Sequence, residues 1–160
     1  EFLGQSLYLS TTAPAVVELS LVPALSTDDV PLDTNFNLGN GIQIRSHAVK
    51  KLSSGEVIVT IYWEAVEPVV EDYSVAVHLV AQDPPLSEAD LLDQADNAHP
   101  VEGYYPSSRW QVGEIVRDDY MITVPEGEQP EAIRIGMYRF DPDEGFINSD
   151  WLSLPLENIP

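Results

Sequence analysis

The chain contains no cysteine. Disulfides, thiolate metal sites and a cysteine nucleophile are therefore excluded. Positive charge is scarce: seven Lys and Arg face 27 Asp and Glu, for a formal net charge of −20. Phosphate recognition needs clustered cations, so the composition excludes nucleic acid as a partner. It argues equally against anionic membrane surfaces. No apolar run approaches the ~18 residues of a spanning helix, so no direct membrane insertion is expected. No amphipathic segment of helical period is present. Gly-x-Ser-x-Gly, His-Glu-x-x-His, a phosphate-binding glycine loop and a dinucleotide fingerprint are all missing. Carboxylate pairs able to hydrolyse a glycoside arise by chance among 27 acids and carry no weight. A non-catalytic chain without a cofactor is the expectation.

What is present is one domain's worth of strand pattern. The 160 residues are 44% hydrophobic, enough for a core that buries roughly 70% of the unfolded chain's surface. Residues 1–34 carry no Lys or Arg and read as a lead-in. Val16–Val22 could add one edge strand between Pro14 and Pro23, and the stretch from Ser26 to Asn35 reads as linker. The chain opens on Glu1 without a basic leader, so it is read as a piece of a longer parent.

From residue 35 onward, runs of period two alternate with Gly, Pro and Asp turns. Ile42, Ile44 and Ser46 alternate with Gln43 and Arg45. Val57, Val59, Ile61 and Trp63 share one face of the strongest strand signal, Glu56–Glu64. Tyr73–Ala81, Glu114–Val124, Ala132–Phe140 and Phe146–Leu156 follow the same rule. Between them, Gln82–Arg109 is irregular. Pro84-Pro85 cannot sit in a central strand, and Ser87-Glu88-Ala89-Asp90 has capping-box spacing for a short helical turn. The sum is a single all-β antiparallel sandwich over residues 35–160, immunoglobulin-like or jelly-roll-like, with six to eight strands.

The irregular segment holds the candidate binding residues Asp96, His99, Tyr104, Tyr105, Arg109 and Trp110. Aromatic faces stack on sugar C–H surfaces and carboxylates accept hydroxyl hydrogen bonds, so a rigid sandwich presenting such a loop suits a carbohydrate or glycolipid. The same residues also fit packing: Trp110 plugging one end, Tyr105-Pro106 filling the loop, Arg109 paired with one of many acids. Arg109 is the first cation after Lys51, with 11 acids between Leu52 and Ser108. The three histidines, His47, His78 and His99, have no ligand spacing, so His78 reads as a hydrogen-bonded structural residue rather than a zinc ligand. Asp141, Asp143 and Glu144 offer hard oxygens for calcium but lack the EF-hand register, and the sequence Asp-Pro-Asp-Glu-Gly is a turn. Asp28-Asp29 and Asp118-Asp119 are similar pairs.

A longer pattern runs through Tyr62-Trp63, Asp72-Tyr73 to His78-Leu79, Gln94-Ala95-Asp96, Gly103 to Trp110, Gly113-Glu114, Asp118-Asp119-Tyr120 and Gly136-Met137-Tyr138. It resembles a β-sandwich module at the C-terminal end of bacterial multi-spanning glycosyltransferases of the dolichyl-phosphate-mannose type, family 39-like. The resemblance covers roughly residues 37–156. It departs at Ser107, where Thr is expected, at Arg139-Phe140, which separates Tyr138 from Asp141, and in a longer Pro84–Asp93 insertion. It implies a non-catalytic extracytoplasmic module attached to a membrane-bound parent, contacting that parent's other domains. The alternative is a structural or protein-interaction domain, with docking or homodimerisation through a sheet edge or the lead-in.

Overall fold

The computed structural model describes residues 30–156 and Leu25, together with residues 5–12 and 16–23 as backbone. Asp28-Asp29 and the rest of 26–29, the first part of the expected linker, lie outside the described residues, whereas its part from Val30 to Asn35 is described. Strands β1 (Gln5–Thr12) and β2 (Val16–Pro23) pair as an antiparallel ribbon. The ribbon joins neither of the two larger sheets, so the expected lone edge strand is one arm of a hairpin.

The domain is an antiparallel sandwich of two sheets holding nine strands. The first sheet orders β3 (Phe36–Asn37), β4 (Ile42–Lys51), β5 (Glu56–Ala65) and β8 (Ile115–Thr123). The second orders β10 (Gly145–Asn148), β9 (Ala132–Asp141), β6 (Ser74–Val80) and β7 (Leu91–Gln94), with β11 (Leu152–Pro155) also on β9. The count exceeds six to eight for three reasons. The two-residue strand β3 is too short to show a period. Strand β7 forms inside the segment read as irregular. The expected single strand Phe146–Leu156 breaks into β10 and β11.

Alternation builds the core as the period demands. Val57, Val59, Ile61 and Trp63 of β5 are fully enclosed. They face Val75, Val77 and Leu79 of β6 and Ile133, Ile135 and Met137 of β9 within one cluster. Each such side chain contributes about 1.5–3 kcal/mol by leaving water. In β4 the expected alternation of Ile42, Ile44 and Ser46 against Gln43 and Arg45 holds in burial, while the pairing register shifts. A bulge between Ile44 and Ser46 sets Ile44 beside inward Trp63 but Ser46 beside outward Tyr62. At the bulge the Arg45 guanidinium binds the Val30 carbonyl at 2.8 Å and Glu64 at 2.9 Å. Val30 is itself buried, and Leu25 forms an isolated antiparallel bridge with Ile115 of β8.

Turns use glycine where the chain needs φ > 0. Gly39 (φ 80°) and Gly41 (φ 84°) close the turn between β3 and β4, with Asn37 Oδ1 accepting from the Gly39 amide at 2.7 Å. The capping-box reading holds: Glu88–Asp90 forms one 3₁₀ turn, and Asp90 accepts from the Leu86 and Ser87 amides at 2.7 and 2.9 Å. Strand β7 follows at once. Asp93 then reaches across to the Thr123 amide of the other sheet at 2.6 Å, which covers part of both sheet edges.

Candidate functional site

The irregular segment folds against a buried carboxylate. On β8 the inward register runs Val116, Asp118, Tyr120, Ile122, so Asp118 enters the core beside Ile61. Its Oδ2 accepts from the Tyr120 hydroxyl at 2.5 Å and from Trp63 Nε1 at 3.3 Å. Its Oδ1 accepts from the Val101 amide at 3.0 Å. Burial pushes the Asp118 carboxyl up to about 6, against the pull of its three donors. Burial and the adjacent Asp118 also push the Tyr120 phenol well above its ordinary value. The Val101 amide is presented by an unusual backbone: Val101 and Glu102 adopt φ 57° and 53°, left-handed values rare for non-glycine residues. Asp118 thus fixes the root of the candidate loop.

The loop's six named residues separate. Trp110 packs in the core at 5% exposure. The Tyr105 ring lies 6.2 Å from it, half-buried, and the Tyr105 hydroxyl donates to Glu114 at 2.7 Å. Tyr104 and Arg109 point to solvent. The His99 ring is half-buried, and Asp96 hydrogen-bonds His78 Nε2 at 3.1 Å. These side chains therefore present no common aromatic surface. Beneath them Ser107, fully buried, accepts from the Tyr73 amide and donates to the Glu71 carbonyl, each at 2.9 Å. Asp72 accepts from the Ser108 amide at 3.1 Å, and hydrogen bonding to Ser108 holds its carboxyl below the usual range.

A different surface gathers aromatic rings: the solvent face of the second sheet. Its origin is the interruption between β10 and β11. There Ser149 Oγ accepts from the Met137 amide at 2.9 Å, and the Asp150 amide turns away to the Leu38 carbonyl at 2.9 Å. The turn brings Trp151 down over Gly136. A Cβ at Gly136 would meet Trp151 Cδ2 at 2.8 Å, so the indole rests on bare backbone. Around it stand His78, with ring centres 5.2 Å apart, and Arg134, whose Cζ is 5.1 Å from the indole centre. Arg134 Nε lies 3.3 Å from Asp83 Oδ1, close enough for an ion pair but not aligned as a hydrogen bond. Asp83 also accepts from Ser153.

Further along β9 the same outward register carries Tyr138 and Phe140. Phe146 of β10 meets both edge-on, at 5.8 and 5.4 Å. Phe140 and Phe146 are 64% and 68% exposed, more than isolated surface residues of a closed core would need. Trp151, Tyr138, Phe146 and Phe140 therefore form one aromatic row with hydrogen-bonding pairs at one end.

The acidic turn at the tip of this hairpin is self-satisfied. Asp141 Oδ1 accepts from the Asp143 and Glu144 amides at 2.9 and 3.2 Å, and Oδ2 from Arg139 at 3.1 Å. The Asp143 amide, with Arg139, holds the Asp141 carboxyl below its ordinary value. Among the described residues no three His, Asp or Glu side chains converge as metal ligands. No helix among them is long and apolar enough to cross a membrane.

No protein family, no curated protein and no solved structure matches this chain.

Proposed function

We propose that this chain is a non-catalytic β-sandwich accessory module that binds a carbohydrate on the solvent face of its second sheet. The observation that carries the reading is the aromatic row. Four rings sit on one face of a rigid sheet, beside the polar pairs His78–Asp96 and Arg134–Asp83. Aromatic faces supply apolar stacking and the flanking pairs supply hydrogen bonds to hydroxyls, which is the surface chemistry a saccharide needs. The row replaces the Asp96–Trp110 loop as the contact surface, because Trp110 and Tyr105 are engaged in packing. The motif resemblance adds the context of an extracytoplasmic module attached to a membrane-bound glycosyltransferase-like parent.

Binding is read by intrinsic fluorescence against a panel of soluble oligosaccharides. Trp63 and Trp110 are enclosed, so a ligand-dependent change reports on half-buried Trp151. The expected result is a saturable change abolished in Trp151→Ala. Silence across the panel, with a correctly folded protein, refutes the reading.

A further inference from the structure

The length and charge of the aromatic row define which saccharides it takes. Gly136, Tyr138 and Phe140 are alternate residues of one strand, so successive positions on the outward face are about 7 Å apart. From the indole over Gly136 to Phe140 the row therefore runs about 13 Å, longer than a single pyranose ring. The two ends differ in kind. At the Trp151 end, His78, Asp96, Arg134 and Asp83 surround the ring with hydrogen-bonding atoms. At the Phe140–Phe146 end the rings are exposed, and Arg139, between Tyr138 and Phe140 in sequence, has the opposite register of β9 and is tied to Asp141. One end orients a sugar by its hydroxyls, and the other only adds stacking area.

The row carries no excess of positive charge. Both guanidiniums of β9 are paired with carboxylates, Arg134 beside the indole with Asp83, and Arg139, on the opposite register, with Asp141. Asp143 and Glu144 stand exposed at the hairpin tip. Neither Arg of β9 is left without a carboxylate partner to meet a uronate, sulfate or sialate, and the net charge of −20 repels them at longer range.

We infer that the site takes a neutral linear oligosaccharide laid along β9, with one sugar oriented at Trp151 and later sugars stacked on Tyr138, Phe146 and Phe140. This rests on the carbohydrate reading above and adds to it a chain length and a charge class.

Calorimetric titration with neutral gluco- and manno-oligosaccharides of one to six sugars tests it, with oligogalacturonides as the anionic probe. Affinity for at least one neutral series should rise about tenfold or more between one and four sugars and then level off. Oligogalacturonides should not bind. Phe146→Ala, an exposed substitution, should remove the gain with length. Equal affinity for one and four sugars overturns the inference but leaves the Trp151 site standing. So does a Phe146→Ala protein with an undiminished length gain, or tight binding of oligogalacturonides. No binding by any neutral sugar, with Trp fluorescence showing a folded protein, overturns the carbohydrate reading itself. A dimer in sedimentation that Phe146→Ala dissociates assigns the row to protein contact and overturns the inference.

Discussion

Removing the charge of Asp118 should flatten part of the pH dependence of folding. Its carboxyl sits at about 6 in the folded protein against 3.8 for the free group. Roughly two pKa units correspond to about 3 kcal/mol at ~1.4 kcal/mol each. Between those values the folded state still holds a proton that the unfolded chain has released, so stability falls as pH rises. The loss begins near pH 4 and is complete above pH 6. Asp118→Asn cannot titrate. Its amide also faces one donor too many, because Asp118 accepts three hydrogen bonds, but that offset does not change with pH. Urea unfolding at constant ionic strength from pH 4 to 7.5 would give both curves. The difference, wild type minus Asp118→Asn, should fall by about 3 kcal/mol across the range. Surface acids contribute a slope to both proteins and cancel. His47, held below its ordinary value by burial and hydrogen-bonded to Thr34 at 2.7 Å, cancels likewise. A difference that stays constant within about 0.5 kcal/mol would refute the buried-charge account.

Other consequences are simpler to read. Ser107→Ala leaves the Tyr73 amide and Glu71 carbonyl without their partner and should cost about 1–3 kcal/mol in urea unfolding; no loss would contradict the stitching role. Gly136→Ala places a methyl within the Trp151 ring. It should lift the indole off the sheet, red-shift its fluorescence and destabilise by about 1–3 kcal/mol, whereas an unchanged spectrum would mean that the ring does not rest there. Stability should rise with NaCl between about 10 and 150 mM, as screening shortens from ~30 to ~8 Å and relieves the self-repulsion of 27 acids. A melting temperature that drops over this range would deny that repulsion.

The sandwich was readable because β5, β6, β8 and β9 carry unbroken period-two runs, and each run became a strand with ends displaced by a residue or so. Strand β7 was hidden because Leu91-Leu92-Asp93-Gln94 is only four residues long and follows a 3₁₀ turn. The break before Trp151 was hidden for another reason. Ser149-Asp150 can continue a strand as easily as interrupt one, and its fate is set by contacts to Met137 and Leu38 that are distant in sequence. The aromatic row depends on that break and on the register of β9 against β10, so its residues were not legible as one surface. Asp118 did leave a signal: a carboxylate at the centre of Val116-x-Asp118-x-Tyr120-x-Ile122, on the register of the core. The motif residues behind the family resemblance largely bond to one another. Trp63, Asp118 and Tyr120 form one group, Tyr105 and Glu114 a second, Ser107 and Tyr73 a third. They describe a scaffold more than a binding surface.

The most direct test of where this protein meets its ligand is the nitrogen–proton NMR spectrum, which shows one indole resonance for each of the three tryptophans. On titration with a neutral tetrasaccharide, the Trp151 indole should shift together with the amides of β9 and β10, while those of Trp63 and Trp110 stay in place. Shifts confined to residues 99–110, with Trp151 unmoved, would return the site to the loop and contradict the sheet-face account.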